Sequence, residues 1–471
     1  MKTAGRKKIA IVGTGISGLT CGYYLHKEHD VTVFEANDYI GGHTATVDVK
    51  LDGKEYAIDT GFIVYNDRTY PNFIKMMNEI GVEGLPTQMS FSVRNDGNGL
   101  EYNGHTVSTL FAQKRNWVNP KFYRFIFEIL RFNKLAKSVA SKQSSHSQTL
   151  GEFLDEHNFS TFFSDNYILP MGAAIWSSTL ADMRAFPLMF FLRFFLNHGL
   201  LDVTNRPQWY VIKGGSREYI PPLTQGFIDK IRLNSPVEKV LRSENGVGLK
   251  VNGEMHWFDD VIFACHSDQA MNMLGDISPV EQEVLGNMAY QANEVVLHTD
   301  TSLLPKRKAA WASWNYLLEG SEDEQQRLPS LTYNMNILQH VQSEHTFCVT
   351  LNSTEQIEPS KVLRTFTYHH PVFSTDSIAA QQRKEEVQGL NNTWFCGAYW
   401  YNGFHEDGVR SALDVVKGTL TTVLGVIPLY FDAFFQSMSV VLVFGLLFAT
   451  LLTLIVIPVL YAIFMNVKQN Q

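Results

Sequence analysis

The stretch Lys8–Glu35, KIAIVGTGISGLTCGYYLHKEHDVTVFE, decides the fold. Ile9, Ile11 and Val12 form a short apolar strand, followed by Gly13, Gly15 and Gly18 in the spacing G-x-G-x-x-G. Ile16 and Ser17 open a helix that turns Leu19, Tyr23 and Leu25 towards a core, and Val31 to Phe34 form a second strand ending on Glu35. This strand–turn–helix–strand is the dinucleotide-binding fingerprint. Gly13 allows the tight turn, Gly15 lets backbone approach a pyrophosphate, and Gly18 lets helix pack on strand. The helix start offers free N–H groups and the positive end of its dipole to phosphates. Glu35, followed by Ala36, can accept hydrogen bonds from a ribose 2′-OH and disfavours a 2′-phosphate.

Working outward, Asn37-Asp38-Tyr39-Ile40 leads to a second glycine pair, Gly41-Gly42, then His43 and Thr44. A nicotinamide dinucleotide does not need this pair. Thr44 to Asp59 alternates apolar and polar around Asp52-Gly53, which predicts a hairpin. Asp59-Thr60-Gly61-Phe62 follows. Helices are expected over Tyr70–Ile80, Pro120–Ala140 and Thr149–His157, and a second hairpin over Met89–Tyr102. Near the other end, Trp394 to Cys396 reads as a strand running into Gly397. Beyond Trp400-Tyr401 lies Gly403-Phe404-His405-Glu406-Asp407-Gly408-Val409, where Gly408-Val409 opens a helix that Glu406 and Asp407 can cap.

The 471 residues, 45% hydrophobic and 18% charged, suit two interleaved domains with an appendage. A net charge of −8 gives no reason to expect nucleic acid. Four scattered cysteines, Cys21, Cys265, Cys348 and Cys396, read as buried apolar residues in a reducing compartment. The first strand starts almost at once, so no signal peptide is expected and the N-terminal part reads as cytoplasmic. His369-His370 has no partner spacing for a metal, and adjacent side chains of a strand point to opposite faces, so no metal is expected.

The paired glycines after the acidic strand and the segment Trp394 to Ala412 resemble the first and last FAD motifs of the flavin-containing amine oxidase superfamily. The resemblance implies an α/β fold in which a Rossmann-like FAD-binding domain interleaves with an α+β substrate domain. Residues 1–70, 211–290 and 390–420 would form the former, and 71–210 and 291–389 the latter. It implies FAD as cofactor, held by Gly13, Gly15, Ile16, Ser17, Gly18, Glu35, Ala36, Gly41, Gly42, His43, Thr44, Gly61, Val237, Gly397, Gly408 and Val409. His43 stands where the family carries an arginine, which touches the phosphate-side charge contact and not the cofactor. The implied chemistry is hydride transfer from a substrate C–H bond to flavin N5. Reoxidation would use oxygen, a quinone or another acceptor.

His405 and Glu406 are the polar candidates near the ring, with a purely structural role as the alternative. Trp176, Trp400 and Tyr401 are candidate pocket walls. The relatives reading GGHT and GFHEDG imply a modified or unsaturated acyl chain more than an amine. A flavin-dependent double-bond isomerase and a non-catalytic, membrane-anchored nucleotide-binding protein are the other readings.

Two segments bear on lipid. Pro120–Ala140 is basic, through Lys121, Arg124, Arg131, Lys134 and Lys137 with Arg115 before it, and reads as a solvated face or a contact with anionic lipid. Ala185 to Leu201 holds five Phe and reads as core or as the wall of an apolar tunnel. Finally, Met438 to Met465 is apolar and free of charge. At roughly 40 Å as a helix it is long enough to span a bilayer. It is expected to anchor the protein at the inner membrane after a linker at 421–437. The run from Thr421 to Phe464 also resembles the last transmembrane segment of RND-type efflux transporters, although one helix cannot build a transporter.

Overall fold

In the computed structural model, which describes residues 6–141, 148–243 and 246–424, the strand Lys8–Val12 is the middle of a five-stranded parallel sheet. The order across it is Ile231–Arg232, Asp30–Phe34, Lys8–Val12, Asp260–Phe263 and Thr393–Phe395. Ile11 is in register with Val33 on one side and Ile262 on the other. Ile9, Ala10 and Ile11 are fully buried, as a central parallel strand covered on both faces requires. Strands distant in sequence therefore share one sheet, and its central turn lies at the carboxyl end of Lys8–Val12. That is the edge at which open parallel sheets bind ligands.

The hairpin read around Asp52-Gly53 pairs Thr46–Leu51 with Lys54–Asp59. Asp52 and Gly53 both have positive φ, 50° and 76°, as a two-residue turn matching strand twist requires. The hairpin expected over Met89–Tyr102 pairs Phe91–Asn95 with Leu100–Asn103. It forms the edge of a seven-stranded mixed sheet. That sheet continues through Trp314–Leu318, Ser330–Asn334, Cys348–Leu351, Tyr290–His298 and Val362–Pro371.

Helices Pro120–Ala140, Leu150–Glu156, Leu169–Trp176 and Leu188–Asn197 share one apolar cluster with sheet residues Val93, Tyr102, Tyr316 and Leu331. Phe186, Phe191, Phe194 and Phe195 are at most 4% exposed there, so the phenylalanine-rich run is core.

Two compact units divide the chain. One is residues 6–413. The other comprises 1–5 with 414–471, and its described part is the end of the helix His405–Leu424. Among the described residues, no helix is long and apolar enough to cross a membrane. The segment 438–465, expected to do so, lies outside the described residues, as does most of the 421–437 linker.

Candidate active site

Four segments meet at the carboxyl end of the strand Lys8–Val12. The first is the glycine turn. Gly13 takes φ +105°, and its N–H donates to Phe34 O at 2.8 Å, tying the turn to the neighbouring strand. A Cβ on Gly18 would fall 2.0 Å from Gly13 O, so only glycine lets the helix Ile16–Leu25 pack this closely. Gly15 differs: a Cβ there would meet nothing within 4 Å. No side chain caps this helix, and its first turn carries no acid. An uncapped helix start beside open space fits an anion.

The second segment is the end of Asp30–Phe34. The Glu35 carboxylate accepts from Thr14 N (2.9 Å) and Thr14 Oγ1 (2.5 Å) on one oxygen. Its other oxygen accepts from Asn37 N and Nδ2, both at 2.9 Å. These four bonds aim the acid and fill much of its acceptor capacity, so a ribose hydroxyl would have to share it with the Asn37 amide or the Thr14 hydroxyl. Ala36 is exposed next to it. Glu35 O accepts from Ser235 N at 2.8 Å, which brings the segment leading to Val237 alongside. Val237 begins the strand Val237–Ser243.

The third segment runs from Gly41 to Phe62. Gly42, at φ +58°, is packed so closely that a Cβ would lie 3.2 Å from Gly15 Cα. Gly41 N donates to Thr14 Oγ1 at 3.3 Å. A Cβ on Gly61 would fall 2.2 Å from His43 O, which Phe62 N bonds at 2.7 Å. Asp59 fixes the outgoing strand by accepting from Ser216 N and Thr46 Oγ1. Its burial pushes its pKa up to about 6.

The fourth segment is the start of the last described helix, and here the structure corrects the sequence reading. The helix begins at His405, so Gly408 and Val409 are its fourth and fifth residues and do not open it. Gly408 N already donates to Phe404 O at 3.0 Å and is not free to face a flavin. Gly408 serves close packing instead: a Cβ would meet Ile16 Cγ2 at 2.7 Å, and Gly408 O accepts from Ser17 Oγ at 3.1 Å. Gly397 N donates to Ser411 Oγ, fixing the strand end to the same helix.

His405 stacks on Phe62 with centroids 3.6 Å apart and planes 8° from parallel. Its Nε2 lies 3.1 Å from both Thr44 Oγ1 and Tyr219 Oη. The Thr44 and Tyr219 hydroxyls bond each other. Burial holds the His405 pKa well below its ordinary value. Glu406 does not face this group. Its carboxylate accepts from Asn72 N (3.2 Å), Asn72 Nδ2 (2.6 Å) and Phe73 N (2.9 Å), capping the helix Pro71–Glu79 from outside. Asp407 folds back to accept from Phe404 N at 2.9 Å, and burial raises its pKa to about 7.

Trp400 and Tyr401 do not form the expected wall. Trp400 is 2% exposed in the apolar cluster of the parallel sheet and donates Nε1–H to Phe395 O. Tyr401 packs against the same cluster, under the Arg410 guanidinium. Trp176 sits among Phe186, Phe190, Phe191 and Phe194, and Phe194 stacks on Phe404, the residue before His405.

The structure brings together His43 and His370, which the sequence reading treated separately. His43 lies 5.1 Å from the Tyr368 ring and 5.8 Å from His370, between centroids. Its Nε2 is shut off from solvent with no hydrogen-bond partner among the described residues. Burial, then the nearby His370, His266 and His369, push its pKa down to about 3. His370 Nδ1 is 2.9 Å from Ser177 Oγ, and burial lowers its pKa to about 4. Among the described residues, no group of three or more His, Cys, Asp or Glu could hold a metal ion. The Gly15 opening, the uncapped helix, the aimed Glu35 and the orphaned His43 nitrogen together fit a dinucleotide cofactor.

Residues 16–417 match the family described as flavin containing amine oxidoreductase. No curated protein sequence matches. The fold resembles a CLA-producing fatty acid isomerase from P. acnes, at 15% identity and TM-score 0.63, covering 88% of this chain and 99% of that one. Cyclohexylamine oxidase from Brevibacterium oxydans IH-35A is similar at 16% identity and TM-score 0.63, covering 88% and 98%. A putative protoporphyrinogen oxidase from Exiguobacterium sp. 255-15 is similar at 17% identity and TM-score 0.61, also covering 88% and 98%. The chain thus belongs to the flavin-containing amine oxidoreductase family, as an FAD-dependent oxidoreductase.

Proposed function

We propose that this enzyme oxidises a C–H bond of an uncharged, apolar substrate, with an acyl chain as the favoured class. The observation that carries the reading is the neutrality of the site. His43, His370 and His405 are all held far below their ordinary pKa by burial. The carboxylates next to His405 in sequence, Glu406 and Asp407, are occupied with backbone N–H groups. Beside His405 a cationic amine would find both of these carboxylates engaged, whereas Phe62, Phe404 and Tyr368 offer aromatic rings. FAD, when bound, supplies the hydride acceptor. The pyrophosphate would be held at Gly13 to Gly18, a ribose at Glu35, the adenine at the Val237 backbone, and the remainder along Gly41 to Thr44, Gly61 and Gly397. His405 acts as a positioning group, holding Thr44 and Tyr219 together. His43 is neutral, so the phosphate charge falls to the helix dipole and N–H groups alone.

Anaerobic addition of an unsaturated acyl ester tests this reading. Lasting loss of the visible flavin band supports net oxidation. A second reading, isomerisation, is favoured by the same neutral site and by the shared fold with a fatty acid isomerase. It predicts an unbleached final spectrum with a displaced double bond. In either reading the apolar run 438–465 would anchor a cytoplasmic catalytic part to the inner membrane. Carbonate-resistant sedimentation of the full chain with membranes supports the anchor, and release into the supernatant counts against it.

A further inference from the structure

We infer that the face formed by residues 114–134 docks on an anionic phospholipid bilayer. The helix Pro120–Ala140 has two unlike sides. Phe122, Phe125, Phe132 and Ala136 are buried in the apolar core. Tyr123, Phe127 and Leu130, at helical spacings of four and three, point outward, and Phe127 is 64% exposed. Just before the helix, Trp117 is 52% and Val118 84% exposed. Large apolar side chains gathered on one face and left in water mark an interaction surface.

Charge names the partner. Residues 107–140 hold seven Lys or Arg and one acid, Glu128, within a chain of net charge −8. Glu128 is 4% exposed, bonds Ser160 and lies 3.6 Å from the Arg124 guanidinium, so it offsets one of the seven cations and leaves the face basic. Lys114, Lys121, Arg124 and Lys134 are exposed. Apolar residues that enter the acyl region, ringed by cations that meet headgroups, describe an interfacial helix on anionic lipid. Trp117 and Tyr123 suit that boundary, with apolar rings and polar tips. Trp117 is already braced, stacking on Phe111 at 4.0 Å while its carbonyl accepts from Tyr123 Oη. The inference does not depend on the substrate's identity or on the segment 438–465.

Tryptophan quenching by lipids brominated in the acyl chain reads insertion in the full-length protein, since residues 420–471 contain no Trp, and Trp117→Phe separates this face from the exposed Trp257. With vesicles of phosphatidylcholine and phosphatidylglycerol, the wild type should be quenched. Trp117→Phe, which keeps the stack on Phe111, should lose most of that quenching while still sedimenting with vesicles. Lys121→Gln with Lys134→Gln should raise the lipid needed for half-quenching about thirtyfold. Quenching that Trp117→Phe leaves intact would overturn the proposal, as would vesicle binding without quenching. So would lipid-free, concentration-dependent protection of residues 114–130 from hydrogen exchange, which would make the face an interface with a second copy.

Discussion

The Ser17 hydroxyl donates to the Gly408 carbonyl at 3.1 Å across 391 positions of sequence. This bond joins the first glycine turn to the last described helix, and Ile16 closes on Gly408 beside it. The two motifs therefore form one structure that a cofactor would see together. Ser17→Ala should remove this buried bond between the two motifs, leaving the Gly408 carbonyl to the Ser411 hydroxyl at 3.0 Å. We expect about 1 kcal/mol less stability and a faster loss of FAD on dilution, read by flavin fluorescence.

The glycines of the first turn should separate by role. Gly18→Ala would force a Cβ to within 2.0 Å of Gly13 O and should destabilise the fold itself by about 1–3 kcal/mol. Gly15→Ala meets no protein atom within 4 Å. It should leave the apo melting temperature nearly unchanged and weaken FAD binding about tenfold or more, a loss of about 1.4 kcal/mol. Melting curves with and without FAD check both.

Glu406 should behave as a cap. Glu406→Ala leaves three N–H donors of Asn72 and Phe73 without their acceptor. The expected cost is about 2 kcal/mol of stability, with turnover per bound flavin close to wild type. A large loss of turnover in a stably folded Glu406→Gln would instead make it catalytic.

Asp407 should shape the pH dependence. Its pKa is raised to about 7 by burial, above the unfolded value near 3.8. The folded state then binds more protons than the unfolded state across this window. Its contribution is fully present below about pH 4 and is lost as pH rises towards 7. Asp407→Asn, which keeps an oxygen for Phe404 N, should flatten that decline. His43 and His370 act oppositely, since their lowered pKa values leave the unfolded chain as the better proton binder. Their contribution is present above about pH 6.5 and is lost as pH falls towards 4 and 3. Chemical denaturation across pH 4–8 reads both slopes.

Much of this architecture is legible locally. The Lys8–Glu35 unit, the Asp52-Gly53 turn and the helix Pro120–Ala140 each follow from glycine placement, turn chemistry or a proline start. What escaped depends on tertiary contacts. Nothing local says that Glu406 reaches Asn72, or that His405 lies flat on Phe62. Trp400 reads as a pocket wall beside a glycine turn, yet the strand Thr393–Phe395 delivers it to the core of the parallel sheet. The helix start shifted from Gly408 to His405 because Asp407 caps backwards onto Phe404, a pairing that does not need glycine.

The most direct test of the central claim is an anaerobic comparison of two substrates on the purified, FAD-loaded full chain. An uncharged unsaturated acyl ester is set against putrescine, which is cationic at neutral pH, and the visible flavin band is followed in stopped flow. An uncharged-substrate site gives a spectral change with the ester and none with the diamine. Rapid bleaching by putrescine with an inert ester would contradict this reading and would mean that a counter-charge for amines operates in the site.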